Sequence, residues 1–433
     1  MSERHIPAAD LQIDWSPRGD GPALESARIG SSDPPFLPYA KQVVDDADRA
    51  AVVAALESDF LTSGPAVEGF EAAFAQQTTA DHVVACSSGT AALHLASLCC
   101  GLGPGDLAIV PAITFAATAN AVRLTGAHPV FADIDPRTGL MSAEHVDVAA
   151  KGLPAERIKA IFPVHFAGQA APVEAIQQVA GGLGARVVED AAHAIGTTYT
   201  DSEANTWPVG AARHSDMAVF SFHPVKTIAM GEGGAITTNS EWMGETVRDL
   251  RTHGIVRDTG RLRDRSLSFD DEKEAFPWAN EMQALGLNYR ASDLHCALGH
   301  SQLAKLNGFV EKRASLSRHY RALLQDRLPF VTPLQEVSGQ NPAWHLFVVR
   351  IDFKGLSIRR ADVMRALKAR GIGTQVHYLP VYRHPYYRAC YGDQSLAGAE
   401  RYYASCLSLP LWPGMGEKDV ERVVDALERC LPA

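Results

Sequence analysis

The chain has 433 residues, of which 46% are hydrophobic and 21% are charged, and its formal net charge is −10. Its length exceeds what one hydrophobic core usually organises, so two domains are expected, and its negative charge disfavours nonspecific binding to nucleic acid or anionic lipid. No apolar run reaches the ~20 residues of a membrane helix. Seven scattered cysteines without CxxC spacing and the lack of a signal-peptide pattern at residues 1–8 indicate a cytoplasmic protein.

The N-terminal half shows a regular alternation of elements. Residues 1–35 are rich in Pro, Gly, Ser and Asp without an apolar period, which predicts an N-terminal arm or tail. Helices are expected over residues 43–56 and 67–77. Short apolar strands then alternate with amphipathic helices, which is typical of an α/β domain with a largely parallel sheet. The strands are expected at residues 82–85, 108–110, 129–132, 158–163, 186–189, 217–222 and 234–238, and the helices at 90–100, 116–124 and 173–180.

The pattern changes after residue 238. The densely charged residues 258–281 are expected to form a solvated loop, and one long helix is expected from residue 292 to 306 and on past 312. We therefore predict a large domain over residues 36–310 and a smaller α+β domain over residues 311–433. Within the smaller domain we expect strands at 344–351 and 374–378 and helices at 360–370 and 419–431.

Lys226 is the first candidate for chemistry. It ends the run SFHPVK at residues 221–226, and GEGG follows at residues 231–234. A lysine after a strand is usually a solvated surface charge. The alternative is a lysine that bonds covalently to an aldehyde, which needs a pKa lowered by burial or a nearby cation, beside glycines that leave room for a phosphate.

Asp190 is the second candidate, because it ends the apolar strand VVED at residues 187–190. One interpretation is a helix N-cap, where aspartate is favoured. The other is a carboxylate that holds the ring nitrogen of pyridoxal phosphate, a cofactor that needs both a lysine and a carboxylate. The pair with Lys226 predicts this cofactor, and His193 would then lie near the ring oxygen or the ring face.

Two further features are weaker signals. Ser88, Gly89 and Thr90 link a strand to a helix, where backbone amides bind anions, although serine and threonine cap most helices. Phe115 is either a core residue or a ring-stacking platform at a strand's carboxyl end. The GGLG run at residues 181–184 follows a helix, so a dinucleotide site is not expected. The sixteen histidines show no paired spacing, so no metal is expected.

From about residue 37 to the C-terminus, the chain resembles the sugar aminotransferases of the DegT/DnrJ/EryC1 family, which have the aspartate-aminotransferase fold (pyridoxal phosphate fold type I). Within the family, it is most similar to the members of the pseudaminic acid pathway. These aminate C4 of a UDP-linked 4-keto-6-deoxy-N-acetylhexosamine with L-glutamate as donor. The similar segments are residues 113–120 (ITFAATAN), 220–226 (FSFHPVK), 251–255 (RTHGI), 287–290 (LNYR), 375–378 (QVHY) and 385–387 (PYY).

The resemblance implies a role for each matching residue. Lys226 would bind the cofactor's aldehyde, Asp190 would hold the ring nitrogen, and Phe115 would stack on the ring. His193 would sit where many relatives use glutamine, and the phosphate would lie at Ser88, Gly89, Thr90 and Ser221. Asn288, with Arg290, would come from the partner subunit, so an obligate homodimer with shared sites is implied. The sugar nucleotide would contact Tyr39, Asp59, Phe60, Leu61, Thr62, Ser221, Asn288, Gln375, Val376, His377 and Tyr378.

Other functions stay open. Within the class, the substrate is alternatively the precursor of UDP-4-amino-4-deoxyarabinose or another 4-keto nucleotide sugar. A sugar dehydratase on this fold is disfavoured because such enzymes replace the lysine with histidine. A non-catalytic regulatory or binding protein would usually lack the lysine or aspartate, or would carry a DNA-binding segment, for which residues 1–35 are too short and too acidic.

Overall fold

The computed structural model describes residues 35–432, so the predicted arm lies outside the described residues except for Pro35. The predicted α/β class is confirmed, with the following strands. They are β1 (His82–Cys86), β2 (Leu107–Pro111), β3 (His128–Ala132), β4 (Ile158–Ile161), β5 (Arg186–Asp190), β6 (Thr198–Thr200), β7 (Thr206–Pro208), β8 (Met217–Ser221), β9 (Gly234–Thr238), β10 (Ile255–Val256), β11 (Glu281–Met282), β12 (Thr332–Pro333), β13 (Gln340–Asn341), β14 (Phe347–Arg350) and β15 (Cys406–Leu409).

The helices surround these strands. They are α1 (Asp46–Leu56), α2 (Pro65–Thr78), α3 (Gly89–Cys99), α4 (Ala116–Leu124), α5 (Ala143–Ala150), α6 (Val173–Leu183), α7 (Glu241–Arg251), α8 (Arg265–Ser268), α9 (Asp293–Leu303), α10 (Leu306–Arg327), α11 (Arg360–Ala369), α12 (Pro385–Tyr391), α13 (Ala397–Ser405) and α14 (Glu417–Glu428). Short 3₁₀ helices cover Ala155–Arg157, Phe166–Gly168, Thr259–Arg261 and Val381–Arg383.

A seven-stranded sheet in the order β1-β9-β8-β5-β4-β2-β3 organises the large part of the chain. All neighbouring pairs are parallel except the two that β9 makes, with β1 and with β8. Six strands therefore run in one direction and one runs against them. The carboxyl ends of the six meet at one edge, where loops that follow β1, β2, β5 and β8 come together, as expected for ligand sites in α/β sheets.

The sheet is buried on both faces, and most residues of its strands are apolar, as expected for a largely parallel sheet. Alternate residues of β8 enter different cores, since side chains along a strand point to opposite faces. Met217 and Val219 belong to the first core, together with residues of β2 to β5 and α3 to α6. Ala218 and Phe220 belong to a second core with Phe70 of α2. Helices therefore cover the sheet on both sides.

The C-terminal part is built on a smaller antiparallel sheet, β12-β14-β15. Its core contains Tyr320 of α10 stacked on Phe347, with ring centroids 4.4 Å apart, and Val349. The intervening residue of β14, Val348, belongs to the first core of the large sheet. Strand β14 therefore joins the two cores through its two faces.

Three local predictions differ from the structure. The strand predicted at residues 374–378 is wrong, because only Gln375 pairs with β15, at Ser408, and the His377 carbonyl instead accepts a hydrogen bond from Tyr402. The long helix predicted past residue 306 is two helices, α9 and α10, separated at residues 304–305. Several elements were not predicted at all, among them helices α5, α7, α12 and α13 and strand β15. The charged residues 258–281 form mostly exposed loop, as expected, interrupted by the Thr259–Arg261 turn and α8.

Candidate active site

A cavity of about 620 Å³ opens at the carboxyl edge of the sheet. Asp190 ends β5, Ser221 ends β8, and residues 87–88 lead from β1 into α3, so three separate stretches converge because their strands are parallel. Most of the predicted site residues line this one cavity. They are Tyr39, Ser88, Gly89, Thr90, Phe115, Asp190, His193, Ser221, Lys226, Gln375, Val376, His377 and Tyr378.

Lys226 lies in the loop that reverses the chain from β8 into the antiparallel strand β9. Its backbone N–H donates to the His223 carbonyl at 2.8 Å, which forms a turn that directs the lysine into the cavity wall. Burial lowers the pKa of Lys226 to about 8, and attraction to Asp190 opposes part of this effect. A lowered pKa leaves a share of the amine neutral near pH 7, which is the form that attacks an aldehyde.

Asp190 is buried, with 5% of its surface exposed, and its two oxygens are fixed from different sides. Oδ2 accepts a hydrogen bond from the Thr118 hydroxyl at 2.7 Å, and Oδ1 accepts one from the Ala192 backbone N–H at 3.2 Å. The Thr118 hydroxyl also lies 2.7 Å from that of Thr114. The two interpretations of Asp190 are therefore compatible. Its carboxylate accepts a cap-like hydrogen bond from Ala192, and the residue also lines the cavity.

His193 is buried beside Asp190 and belongs to a group of aromatic side chains. Its Nε2 lies 3.1 Å from the hydroxyl of Tyr378, and its ring packs against that of His345 with centroids 4.5 Å apart. Its Nδ1 has no hydrogen-bond partner among the described residues. Burial, followed by repulsion from Lys226 and His377, keeps the pKa of His193 well below its usual range, so the imidazole is neutral. A buried, unpartnered nitrogen of this kind points to a ligand.

The segment between β1 and α3 has the form of an anion cradle. Ser88 caps α3, its Oγ accepting a hydrogen bond from the Ala91 N–H at 3.1 Å. A Cβ on Gly89 would lie 2.6 Å from Cβ of Ser221, and one on Gly234 would lie 2.4 Å from the Ser88 carbonyl oxygen. Close packing therefore requires glycine at both positions. The first turn of α3, with its free N–H groups and dipole, faces the cavity beside Ser221, which suits a phosphate.

Phe115 is not a core residue. It is the N-cap of α4, and 60% of its surface is exposed where it lines the cavity. Its ring centroid lies 6.1 Å from that of Tyr378. An exposed aromatic ring at this position offers a flat surface on which a planar ligand would stack. The geometry favours the platform interpretation over the core interpretation.

Six predicted site residues do not line the cavity of their own chain. Thr62 pairs with Ser292 through an isolated bridge, which places the neighbouring segment on the surface next to α9. Asn288 pairs with Thr252, and Arg290 pairs with Cys86. The residues outside the cavity are Asp59, Phe60, Leu61, Thr62, Asn288 and Arg290, and all but Arg290 are exposed.

Several cavity residues were not predicted from the sequence. Among them are His345, Glu232 and His384. Thr118, which was not predicted either, is not among the lining residues but holds Asp190, which is. Thr118 follows Thr114 by four residues in the segment ITFAATAN, which places both hydroxyls on one side of a helical turn, and this spacing was an available signal. His345 carried no comparable signal, because buried histidines are usually structural.

The three functional parts of pyridoxal phosphate fit these residues. Lys226 suits the aldehyde, Asp190 suits the ring nitrogen, and the α3 cradle suits the phosphate. The unpartnered Nδ1 of His193 and the exposed Phe115 ring lie between them on the cavity wall. Fold and site together define a pyridoxal-phosphate-dependent aminotransferase with the aspartate-aminotransferase fold.

Comparison with known proteins gives the family. The model of the DegT/DnrJ/EryC1/StrS aminotransferase family matches residues 42–428, and the chain belongs to this family. The spore coat polysaccharide biosynthesis protein SpsC of Bacillus subtilis (strain 168) is 38% identical over 395 residues, which are 90% of this chain and 96% of SpsC. The predicted resemblance is confirmed, and the protein is a pyridoxal-phosphate-dependent sugar aminotransferase.

Solved structures agree with this assignment. Helicobacter pylori PseC, an aminotransferase involved in the biosynthesis of pseudoaminic acid, is 28% identical with a TM-score of 0.80, covering 92% of this chain and 99% of PseC. DesV of S. venezuelae, solved with a ketimine intermediate, is 31% identical with a TM-score of 0.77, covering 92% of this chain and 98% of DesV. Within residues 35–432, no helix is long and apolar enough to cross a membrane.

Proposed function

We propose that this protein aminates C4 of a UDP-linked 4-keto-6-deoxy-N-acetylhexosamine with L-glutamate as donor, yielding a UDP-4-amino sugar for pseudaminic acid biosynthesis in the cytoplasm. The cavity around Lys226 carries the proposal: its volume of about 620 Å³ lies within the range of small-molecule sites, so it has room for a hexose beside the cofactor. The similarity to H. pylori PseC over 92% of the chain supports this choice of sugar.

Each residue has a defined task in such a reaction. Bound pyridoxal phosphate supplies an aldehyde that accepts an amino group and a ring that withdraws electrons. Lys226 would hold the aldehyde at rest. Its amine, with a pKa of about 8, would act as the base that takes a proton from the α-carbon of the amino donor and as the acid that gives one to C4 of the sugar. Asp190, fixed by Thr118 and Ala192, keeps the ring nitrogen protonated.

We further propose that the working unit is a homodimer with shared sites. Arginine is missing among the residues of the described chain that line the cavity, although the substrates carry carboxylate and diphosphate groups. The surface segments at residues 59–62 and 288–292 lie next to each other through the Thr62–Ser292 bridge. Around them, large apolar side chains are exposed, which is typical of a surface buried by a partner. They are Leu56, Phe60, Leu61, Met282 and Leu285.

The alternative substrate within the class is a UDP-linked 4-keto pentose, which would make the protein an enzyme of aminoarabinose synthesis. The similarity to SpsC is compatible with either sugar, because its described role is polysaccharide biosynthesis. A non-catalytic binding protein is the alternative from another class. The joint presence of Lys226, Asp190 and the anion cradle on one cavity disfavours it.

A single-turnover experiment tests the proposal. The purified protein, loaded with pyridoxamine phosphate, is mixed with one UDP-4-keto sugar at a time, and return of the aldehyde cofactor's absorbance is followed. We expect return with the 6-deoxy-N-acetyl L-sugar and slow or no return with the 4-keto pentose. Faster return of the absorbance with the 4-keto pentose would instead support a role in aminoarabinose synthesis. No return with any of the sugars would contradict the whole proposal.

The donor is tested in the other direction. The pyridoxal-phosphate-loaded protein should lose its aldehyde absorbance with L-glutamate and retain it with L-aspartate. Lys226→Ala is the control for both half-reactions, because it should bind the cofactor without turning over. We expect the rate to fall by at least ~10³-fold, the range that a positioned acid–base group contributes.

A further inference from the structure

We propose that Tyr378 is a positioning residue that fixes the tautomer of His193, so that the Nδ1–H of His193 donates a hydrogen bond to the ring oxygen of pyridoxal phosphate. The inference concerns the cofactor and not the sugar, so it stands or falls independently of the proposed substrate. It starts from the contact between the Tyr378 hydroxyl and His193 Nε2, at 3.1 Å.

We assign the hydroxyl of Tyr378 as the donor in this contact. Among residues 35–432, its hydroxyl has no other hydrogen-bond partner, so Nε2 of His193 is the one acceptor that these residues offer to its hydrogen. Burial, with smaller contributions from Asp190 and Tyr39, raises the pKa of Tyr378 above its usual range, so the hydroxyl keeps its hydrogen. A neutral phenol can donate this hydrogen to an unprotonated imidazole nitrogen.

The hydrogen of His193 is consequently on the other nitrogen. A neutral imidazole carries one N–H, and with Nε2 accepting, this N–H is at Nδ1. Nδ1 is buried and has no partner in the described chain. The residue lines the cavity, so the missing acceptor is supplied from the cavity side. The anionic ring oxygen of pyridoxal phosphate would be an acceptor of the right chemistry for this N–H.

Neighbouring rings keep His193 in this orientation. His345 packs on one side with ring centroids 4.5 Å apart, and Phe166 lies on another with centroids 6.1 Å apart. Nδ1 of His345 is also unpartnered, so the two histidines are not hydrogen-bonded to each other. The rings determine where His193 lies, whereas the Tyr378 hydroxyl determines which of its nitrogens carries the hydrogen.

The consequence is measurable in the cofactor itself. A hydrogen bond to the ring oxygen favours the form of the bound cofactor in which that oxygen carries its full negative charge, which is the deprotonated form. The bond therefore lowers the pH at which the absorbance of the bound cofactor changes. The other titratable groups that face this position are Lys226, Asp190, His345, His377 and Tyr39, and they are the same in the variants compared below.

A double-mutant cycle on the cofactor-loaded protein tests the proposal by absorbance titration. Tyr378→Phe keeps the ring and removes the hydroxyl, so we expect the midpoint to rise by about 0.5 pH unit or more. In the His193→Gln background, the side-chain N–H₂ of the glutamine donates a hydrogen bond whether or not the Tyr378 hydroxyl is present. There we expect Tyr378→Phe to shift the midpoint by less than about 0.2 unit. Equal shifts in both backgrounds would show that Tyr378 acts by packing and would overturn the proposal.

Nitrogen NMR of the imidazoles reads the tautomer directly in the cofactor-free protein, with His193→Gln identifying the signals. We expect an Nδ1–H tautomer in the wild-type protein and a mixture in Tyr378→Phe. A wild-type signal for Nε2–H would refute the assignment. This measurement needs neither the cofactor nor a sugar, so its failure is distinct from a failure of the proposed function.

Discussion

Thr118 donates a hydrogen bond from its hydroxyl to Oδ2 of Asp190 at 2.7 Å, across 72 residues of sequence. Helix α4 thereby supports the end of strand β5 and fixes the carboxylate that is proposed to receive the ring nitrogen of the cofactor. The cap of the same helix is Phe115, the proposed platform for the ring. One helix therefore positions two of the groups that we expect around the cofactor ring.

Removing the Thr118 hydroxyl should weaken catalysis without unfolding the site. Thr118→Val has nearly the same shape and leaves Asp190 with its bond to Ala192 alone. A hydrogen bond to a charged group contributes ~1.5–3 kcal/mol, so we expect the half-reaction with glutamate to slow by about ten- to hundredfold. Stopped-flow absorbance measures this rate. Thr118→Ser retains the hydroxyl and should stay close to the wild type; a valine variant at wild-type speed would argue against the supporting role.

The lowered pKa of Lys226 makes cofactor uptake dependent on pH. Only the neutral amine reacts with an aldehyde, and with a pKa of about 8 roughly a tenth of it is neutral at pH 7. We expect the rate at which cofactor-free protein incorporates pyridoxal phosphate to rise from pH 6.5 and to level off above about pH 9. A rate that kept rising to pH 10 would contradict the assignment of a lowered pKa.

The lowered pKa of Lys226 also determines how the stability of the folded protein changes with pH. The folded-state pKa of about 8 lies below the unfolded value of 10.5, so the folded protein binds fewer protons between these values and stability rises with pH there. The destabilising contribution is largest below pH 8 and vanishes toward pH 10.5. Cofactor-free Lys226→Met should therefore melt higher than the wild type at pH 7, and the difference should shrink by pH 10.

Gly89 should be sensitive to a single added methyl group. A Cβ there would lie 2.6 Å from Cβ of Ser221, so Gly89→Ala must push the start of α3 away from β8 and distort the phosphate cradle. We expect the affinity for pyridoxal phosphate to fall at least about tenfold. Gly181→Ala in α6 is the matched control, because its Cβ would meet no atom within 4 Å. Equal affinity in the two variants would exclude the proposed cradle.

The buried, hydrogen-bonded pair of His165 and Glu189, next to the candidate site, should stabilise the folded protein. His165 Nε2 lies 2.6 Å from Glu189 Oε2, while its Nδ1 accepts the Ala171 N–H at 2.9 Å, so Nε2 is the donor to Glu189. His165→Ala would leave the side chain of Glu189, which is 1% exposed, with Ser215 as its remaining hydrogen-bond donor, at a cost of roughly 1–3 kcal/mol. We expect a clear drop in melting temperature, whereas Glu189→Gln, which still accepts the bond, should lose less. A His165→Ala variant that melts like the wild type would refute this.

The sequence predicted best those elements whose signal is local. Short, mostly apolar runs mark the strands of the large sheet, and β9 and helix α4 were located to the residue at 234–238 and 116–124. Elements that depend on partners distant in the sequence were predicted less well. Residues 374–378 have a strand-like composition, but only Gln375 finds a partner in β15. No glycine or proline lies at residues 304–305, where α9 and α10 are separated, so the sequence gives no signal for this break.

The same distinction holds for the site. Lys226 and Asp190 could be selected as candidates because each ends or follows an apolar strand and because one cofactor needs both groups, and the structure places both on one cavity. Thr118 could not be assigned to Asp190, since nothing local links residues 72 positions apart. The segments at 59–62 and 288–290 lie outside the cavity of their own chain, so one chain cannot show which substrate atoms they would meet.

Strand β14 limits how this enzyme can be recombined with its relatives. Val348 packs with the large sheet, whereas Phe347 and Val349 pack with α10 and the C-terminal helices. A hybrid made by exchanging everything after residue 310 would put a foreign side chain at position 348 into the core of the parental sheet. Hybrids intended to change the sugar accepted should therefore exchange shorter surface segments, such as residues 59–62, and leave β14 with its own sheet.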